Sequence, residues 1–273
     1  MGFLLALAVL IGLWLVLIAP GRATKAQRAP FAGRAFAHRG LYELDQSVPE
    51  NSLEAFRRAV EAGYGAELDV QRTRDGQIVV FHDDSMQRAC GVDKAVRDFT
   101  FEELQAFPLF GTEARIPLFS EVLQIFDGKQ PLIVELKYGP DADLLCEATR
   151  QMLDAYKGPA CVESFHPAMV RWFKKHDPKR LRGQLSEAAC FSKKTLPGYL
   201  AFAMSRLLSN CLTRPQFVAY RVGPKPLSVR LCEAMGAMKV LWTARERSQH
   251  ARRMAENQAV IFEGYRPREG KAK

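Results

Sequence analysis

The sequence has no closely spaced pair of cysteines, no arginine-rich block, no internal repeat and no low-complexity tract. Its six cysteines form no CxxC motif and flank no histidine at zinc-site spacing, and a chain of 273 residues does not need disulfide staples. We therefore predict reduced, mostly buried thiols. The basic residues are spread along the chain without a recognisable nucleic-acid motif, which argues against a nucleic-acid partner. The cysteines are Cys90, Cys146, Cys161, Cys190, Cys211 and Cys232.

The composition is that of a globular protein with a basic balance. Hydrophobic residues make up 48% and charged residues 25% of the chain, which excludes a disordered or collagen-like sequence. The length fits one large domain or two small ones. Lys and Arg number 39 against 30 for Asp and Glu, a net charge of +9. Such an excess suits an anionic membrane or an anionic substrate as well as nucleic acid.

The first residues are predicted to form a membrane anchor. Residues 2–20 carry no charged side chain, and about 18 apolar residues at 1.5 Å each span roughly 27 Å, close to the hydrocarbon thickness of a bilayer. A cleaved signal peptide fits less well, because no Lys or Arg precedes this long run, and a buried core helix would carry a polar face. Arg22, Lys25 and Arg28 follow the run, so the positive-inside rule places the remaining chain in the cytoplasm. We expect a single-pass transmembrane helix over residues 1–20 and a basic linker over 21–33.

Strand-like and helix-like segments alternate from residue 34 onward. Ser52–Glu61, for example, begins with a Ser cap and stops before Gly63. Regular alternation is typical of a parallel α/β fold, and the count suits a (β/α)8 TIM-like barrel over residues 34–273. The strand candidates are Arg34–His38, Ala66–Gln71, Ile78–His82, Leu132–Lys137, Ala160–Phe165, Leu181–Leu185, Phe217–Arg221, Lys239–Thr243 and Ala259–Phe262.

Nine strand candidates are one more than this barrel needs. Asp75-Gly76 lies between two of them, and an Asp-Gly between apolar runs predicts a β-hairpin. Residue numbers paired across that hairpin sum to about 151, which sets Asp69 opposite His82. Alternatively, both runs are parallel barrel strands and the last strand lies outside the barrel. In both arrangements Glu67, Asp69 and His82 converge.

Charged side chains occupy the ends of several of these strands. Strands buried on both faces should be nearly all apolar, and the active site of a barrel lies at the carboxyl ends of its strands. Structural ion pairs would account for any one of these residues, but charged residues at the ends of several strands together indicate a site. The residues are His38, Arg39, Glu67, Asp69, His82, Asp83, Glu135 and Lys137.

Five of these residues suit a metal and a phosphate. Glu67, Asp69 and Glu135 offer only oxygen, which favours Mg²⁺ or Ca²⁺. Arg39 and Lys137 add fixed positive charge, which suits a phosphate group. The set therefore predicts a divalent-cation site next to an anionic substrate.

The two histidines supply proton transfer. His38 and His82 can act as general acid and base near neutral pH. A metal that neutralises the non-bridging oxygens, one histidine that takes a proton and another that protonates the leaving oxygen together describe phosphodiester cleavage.

In this order and at this spacing, the motifs resemble the glycerophosphodiester phosphodiesterases. No single motif is specific, but five in the family's order are, and the resemblance covers roughly residues 34–265. The motifs are His38-Arg39-Gly40, Pro49-Glu50-Asn51-Ser52, Glu67-Leu68-Asp69, Phe81-His82-Asp83 and Glu135-Leu136-Lys137, with Arg88, Phe99–Leu104, Ile116-Pro117, Ser164-Phe165 and Leu241-Trp242-Thr243 continuing it.

The resemblance implies a metal-dependent TIM-like barrel that releases glycerol 3-phosphate and an alcohol. It assigns His38 and His82 as the acid/base pair, Glu67, Asp69 and Glu135 as metal ligands, Arg39 and Lys137 as phosphate-binding residues, and Glu50 as a substrate-lining residue or an extra ligand. Trp242 is expected to line the substrate or to pack at the rim. Two departures stand out: Glu263 replaces the usual Asp near the C-terminus, and Ala89-Cys90 replaces a usual Thr pair.

Two further segments have predicted roles. Residues 84–117 have little strand character and are expected to form an insertion over the catalytic rim. An apolar stripe at helical spacing follows Lys193 and Lys194, and it fits either an ordinary barrel helix with a loop or an interfacial helix that touches the membrane. The stripe comprises Leu200, Met204, Leu207, Leu208 and Cys211.

The sequence therefore predicts an enzyme, a glycerophosphodiester phosphodiesterase with Mg²⁺ or Ca²⁺ as cofactor. A lysophospholipase D acting on single-chain lysolipids is the alternative enzyme. A non-catalytic, membrane-associated binding module is the alternative from another class, although binding alone needs no pair such as His38 and His82. The expected partners are a small glycerophosphodiester or lysolipid and a membrane, with no nucleic acid and no obligate protein partner.

Overall fold

Eight parallel strands close into a barrel in this computed structural model, which describes residues 1–188 and 197–267. The order around the barrel is β1-β9-β8-β7-β6-β5-β4-β2, and β1 pairs with β2 to close it. The predicted TIM-like barrel is thus confirmed. The strands are β1 Arg34–His38, β2 Gly65–Arg72, β3 Ile78–Val80, β4 Leu132–Leu136, β5 Ala160–Ser164, β6 Arg182–Ser186, β7 Phe217–Arg221, β8 Met238–Ala244 and β9 Ala259–Phe262.

Helices follow most strands and cover the outside of the barrel. Ser52 caps the helix that begins at Leu53, because its side chain accepts a hydrogen bond from Ala55 N at 3.2 Å. The described helices are α1 Gly2–Ile18, α2 Lys25–Arg28, α3 Leu53–Glu61, α4 Gln87–Cys90, α5 Phe101–Leu104, α6 Phe119–Phe126, α7 Ala142–Ala155, α8 Pro167–His176, α9 Gly198–Ser205, α10 Asn210–Thr213, α11 Leu227–Ala234 and α12 His250–Glu256. Short 3₁₀ turns lie at Val96–Asp98, Leu109–Gly111 and Arg247–Gln249.

The extra strand is the predicted hairpin. β3 runs antiparallel to β2, with Val70 opposite Val80, and β9 belongs to the barrel, so the alternative with the last strand outside is wrong. The predicted register is wrong by one residue: Phe81 N donates to Asp69 O at 3.0 Å, so Phe81 and not His82 lies opposite Asp69. Since β3 ends at Val80, His82 lies in the segment beyond the strand.

Apolar side chains fill the lower part of the barrel interior. Phe36, Ile133 and Phe217 are among the buried residues of this cluster, and Phe31 stacks on Phe36 from below at a centroid distance of 6.2 Å. A second cluster packs α3 and α6 against the outside of the sheet, with Phe56 and Phe126 in edge contact. The charged residues at the strand ends therefore rest on a rigid apolar base.

The N-terminal helix α1 has 17 residues and exposes most of its apolar side chains. It ends at Ile18, whose carbonyl accepts a hydrogen bond from Asn210 Nδ2 at 3.0 Å, and the chain leaves the helix there. Across residues 1–188 and 197–267, no helix has both the length and the apolarity that a membrane crossing requires. The predicted transmembrane helix over residues 1–20 is therefore not supported by the structure.

The segment predicted as a basic linker, residues 21–33, packs against the lower end of the barrel. Gly21 N donates to Pro215 O at 2.9 Å, and Arg28 Nη2 donates to Gly236 O at 2.7 Å. Phe31 is buried in the apolar cluster of the interior. The segment is thus part of the packed body of the barrel.

Residues 84–117 fold around their own small apolar cluster, which includes Met86, Val96 and Leu104. In the predicted stripe over residues 200–211, Leu207 is buried, whereas Leu200 is 40% exposed. Cys190, Lys193 and Lys194 lie outside the described residues, and the five described cysteines are free thiols.

Candidate active site

Three carboxylates meet inside the carboxyl end of the barrel. Glu67 and Asp69 alternate along β2, and Asp69 lies beside Glu135 of β4 in the parallel register. One oxygen from each of the three lies within 4.8 Å of the others, and all three residues are buried. The strand pairing thus brings together the three residues predicted as metal ligands.

Lys137 joins two of these acids. Its Nζ lies 2.8 Å from Asp69 Oδ1 and 2.7 Å from Glu135 Oε1. Burial favours the neutral form of Asp69, but the positive charges of Lys137, His82 and Arg39 outweigh it and hold the pKa of Asp69 well below its usual range. Burial likewise opposes the charge of Lys137, and the two carboxylates outweigh it, so the pKa of Lys137 is raised.

The pKa values of Glu67 and Glu135 are raised, in contrast to that of Asp69. Burial, and then the charge of Asp69, raises the pKa of Glu67 well above its usual value. Burial also raises the pKa of Glu135, although Lys137 opposes this effect. Three buried carboxylates, two of them with raised pKa values, provide the oxygen ligands and the negative charge that a hard divalent cation such as Mg²⁺ or Ca²⁺ requires. The residues present therefore fit the metal that the motifs imply.

His38 is held by a carboxylate on one side of its ring. Its Nδ1 lies 2.5 Å from Glu263 Oε2, which also accepts a hydrogen bond from Tyr42 OH at 3.1 Å, while Arg245 Nε pairs with the other Glu263 oxygen. His38 Nε2 faces the acid cluster, 3.8 Å from Glu67 Oε2. Burial lowers the pKa of His38, and Glu263 opposes this effect. Burial opposes the Glu263 charge, but His38 and Arg245 outweigh it and lower the pKa of Glu263 to about 2.

His82 is held in the same way by a different carboxylate. Its Nδ1 lies 2.7 Å from Asp83 Oδ1, and Arg88 Nε donates to Asp83 Oδ2 at 2.7 Å. Burial opposes the charge of Asp83, but His82 and Arg88 outweigh it, and the pKa of Asp83 is lowered. The His82 side chain is 33% exposed against 13% for His38, so His82 lies closer to solvent.

Arg39 is fixed at the centre of the site by its backbone and by Glu50. Its φ of 55° and the φ of 83° at Gly40 turn the chain sharply after β1, and Arg39 N donates to Glu67 Oε2 at 3.2 Å. Arg39 Nη1 donates to Glu50 Oε1 at 2.8 Å, and Arg88 Nη2 donates to the same oxygen at 2.6 Å. Glu50 therefore positions two arginines and is not one of the three clustered acids.

Trp242 lies near the carboxyl end of β8. Its Nε1 donates to Ala219 O at 3.0 Å, and its ring packs edge-on against Phe165 at 5.5 Å. The guanidinium of Arg221 lies 5.8 Å from the indole centroid. These contacts give Trp242 a packing role at the rim.

Two residues of the site were not singled out from the sequence. Glu263 was noted only as a departure from the family pattern, and Asn51 only as part of a motif. Asn51 Nδ2 donates to Asp69 Oδ2 at 2.9 Å. The signal for Glu263 was present, because a carboxylate directly follows the apolar strand Ala259–Phe262.

Comparison with known proteins agrees with this geometry. A sequence profile described as the Glycerophosphoryl diester phosphodiesterase family matches residues 38–263. The chain is 41% identical over 111 residues to a glycerophosphodiester phosphodiesterase of Caldanaerobacter subterraneus subsp. tengcongensis, covering 38% of this chain and 44% of that protein. It is 30% identical over 157 residues to a lysophospholipase D of Rattus norvegicus, covering 53% of this chain and 48% of that protein. The chain thus aligns with about half the length of these curated relatives.

A solved structure has the same fold. The barrel matches a phosphodiesterase of Oleispira antarctica, determined in complex with the product sn-glycerol-3-phosphate, with a TM-score of 0.70 and 20% sequence identity. The match covers 88% of this chain and 96% of that chain. It supports the architecture over nearly the whole barrel.

Proposed function

The chain belongs to the glycerophosphoryl diester phosphodiesterase family, and on that premise we propose that it hydrolyses glycerophosphodiesters to glycerol 3-phosphate and an alcohol. One observation carries the proposal: two imidazoles, each fixed at Nδ1 by a carboxylate, face a shared cluster of acids and cations. Binding alone does not require two such histidines.

His38 is the proposed general base. Glu263 accepts the Nδ1 proton, which leaves the Nε2 lone pair on the side of the acid cluster. Burial lowers the pKa of His38, so the ring is neutral and able to accept a proton at neutral pH. As the oxygen of an attacking water bonds to phosphorus and the bond to the leaving oxygen breaks, a proton of that water would pass to Nε2.

His82 is the proposed general acid. Asp83 holds its Nδ1, and the more exposed position of His82 suits a leaving alcohol that must escape to solvent. Protonation of the leaving oxygen at His82 Nε2 completes the hydrolysis. The two histidines thus divide the two proton transfers between them.

The cationic groups would bind the phosphate. Arg39 and Lys137 are held in place by carboxylates. A substrate phosphate would accept hydrogen bonds from the N–H groups of these side chains that the carboxylates do not use. Glu67, Asp69 and Glu135 are the residues that would hold Mg²⁺ or Ca²⁺, and when bound the ion neutralises the phosphate oxygens.

The test is release of glycerol 3-phosphate by the full-length chain. Glycerophosphocholine and glycerophosphoethanolamine are offered with Mg²⁺, with Ca²⁺ and with EDTA. We expect cation-dependent release that His82→Ala lowers by about 100-fold or more, since general acid catalysis contributes that much. Glu61→Gln, a change at an exposed carboxylate that is the last residue of α3, is the control and should keep full activity. No release by a folded protein with bound cation would overturn the proposal.

A lysophospholipase D activity is the second candidate. The similarity to the Rattus norvegicus enzyme supports it, and so do Tyr199 and Phe202 of α9, which are 74% and 52% exposed. The same assay with lysophosphatidylcholine distinguishes the two, because a lysolipid would yield lysophosphatidic acid and choline. Turnover of the lysolipid alone would replace the first proposal with the second.

We further propose that α1 associates the chain with a lipid surface. Its exposed side chains are apolar around the whole helix, and the basic residues of the following segment suit anionic lipid. Flotation with vesicles of phosphatidylcholine and phosphatidylglycerol tests this. Wild type should float with the vesicles, and the double variant Leu4→Asp/Leu10→Asp should not. Leu144→Asp, at a similarly exposed leucine on α7, is the matched control, and equal flotation of all three proteins would exclude a role for α1.

A further inference from the structure

A fourth carboxylate lies beside the acid cluster, on the next strand of the barrel. Glu163 of β5 pairs in parallel register with Glu135 of β4, which in turn pairs with Asp69 of β2. Residues paired across neighbouring strands point to the same face of a sheet. The three carboxylates therefore form a row inside the barrel, and Glu163 is only 1% exposed.

Glu163 lacks the partners that the other acids have. Among the described residues, none makes a hydrogen bond to its Oε2. Lys137 contacts both Asp69 and Glu135, and the backbone amide of Arg39 donates to Glu67. A buried carboxylate oxygen without a donor is unusual, because burial of an unsatisfied polar atom is costly. Burial, and then the charges of Glu135 and Asp69, raises the pKa of Glu163 well above its usual value.

The cluster has too few positive charges for its carboxylates. Lys137 serves Asp69 and Glu135, and no Lys or Arg side chain of the described residues forms an ion pair with Glu67 or Glu163. Arg39 approaches Asp69 at 3.6 Å, but its guanidinium is shared with Glu50. Four carboxylates against one lysine leave a negative excess, which a divalent cation would offset.

We propose that Glu163 belongs to the cation site as an outer carboxylate whose negative charge strengthens the binding of a divalent ion. It lies outside the group of Glu67, Asp69 and Glu135, whose oxygens are within 4.8 Å of one another. The inference rests on the proposed function, which places a cation there. It adds a residue that precedes the Ser164-Phe165 motif and is not part of it.

Calorimetric titration of the full-length protein with Ca²⁺ or Mg²⁺ alone tests the inference. We expect Glu163→Gln to raise the Kd for both ions by tenfold or more, because affinity for such ions follows the number of charges around the site and outer partners act on this scale. Glu233→Gln is the matched control, because Glu233 forms its ion pair with Lys225 and not with a residue of the acid cluster. The Kd of this variant for each ion should equal that of wild type.

Thermal unfolding separates this role from a structural one. Without metal, Glu163→Gln removes a buried carboxyl group that has no positively charged partner among the described residues, so its Tm should equal or exceed that of wild type. The rise in Tm on adding Ca²⁺ should be smaller in the variant. Unchanged Kd values with a lower metal-free Tm would assign Glu163 a structural role and overturn the inference alone. Absence of cation binding by wild type would overturn the inference together with the metal part of the proposed function.

Discussion

In the proposed mechanism, Glu263 controls which nitrogen of His38 accepts a proton. Its carboxylate would accept the Nδ1 proton, which leaves the lone pair on Nε2. Glu263→Gln should lower kcat by about 100-fold, because the amide can fix the wrong tautomer. Loss of the negative charge also removes an effect that raises the pKa of His38. A base with a lower pKa loses its proton at lower pH, so the acidic limb of the pH profile of kcat/KM should shift to lower pH.

The conservative change Glu263→Asp separates the effect of the negative charge from the effect of the side-chain length. It keeps the carboxylate but shortens the side chain by one methylene, so the acidic limb should stay near its wild-type position while kcat falls by less than in the glutamine variant. Glu61→Gln, at the exposed last residue of α3, again serves as the carboxylate control. A glutamine variant with wild-type kcat and an unmoved pH profile would show that Glu263 does not position His38.

At the level of single residues, the sequence indicated most of the site because charge on a buried strand has few structural explanations. That reasoning identified Glu67, Asp69 and Glu135, which the strand pairing brings together. Glu163 and Glu263 are also charged residues in or next to a buried strand, but the sequence analysis did not select them as site residues. Which partner each charge takes, such as Glu50 with two arginines, depends on contacts between distant segments and could not be read from spacing.

The β2–β3 hairpin depends on a glycine in the left-handed region. Gly76 has φ of +86°, and its N–H donates to Thr73 O at 3.1 Å. An added Cβ would also meet Arg72 Nη2 at 3.1 Å. Gly76→Ala should therefore reduce the free energy of unfolding by about 1 kcal/mol, as a side chain is unfavourable in this conformation. Urea denaturation followed by circular dichroism measures the change.

Gly139→Ala is the matched control for the hairpin. Gly139 has no positive φ, and no atom lies within 4 Å of an added Cβ. Its variant should remain within about 0.5 kcal/mol of wild type. Equal stability of the Gly76 and Gly139 variants would mean that the turn tolerates a side chain at Gly76.

At the level of elements, the alternation of strand-like and helix-like segments predicted which segments form strands better than it predicted where those strands end. Arg34–His38 and Ala259–Phe262 begin and end where expected, whereas β3 stops at Val80, two residues before the predicted end. The apolar pattern continues through Phe81, which is buried although it lies outside the strand, so composition alone does not mark where pairing stops. Asp69 lies opposite Phe81 because Val70 pairs with Val80 in the hairpin.

At the level of the whole molecule, the barrel separates an apolar lower interior from a charged upper interior. Phe36 and Phe217 pack below, while carboxylates without sufficient positive charge lie above. The fold supplies the energy that keeps these acids together, because they would repel one another in a flexible chain. The sequence predicted this division from apolar strands with charged ends. It did not predict the packing of residues 21–33 under the barrel, which depends on contacts with residues near 180, 215 and 236.

A divalent cation should therefore stabilise the whole fold. Binding to the native state alone contributes about 2.7 kcal/mol when the free ion is 100 times above its Kd. For a domain of this size each kcal/mol shifts Tm by roughly 2–4 °C, so saturation with Ca²⁺ or Mg²⁺ should raise Tm by about 5–10 °C. Calorimetry in EDTA and in excess cation at equal ionic strength measures the shift. Glu135→Gln should remove most of it, because the variant loses an acid of the cluster, while a rise of equal size in that variant would place the stabilising ion elsewhere on the molecule.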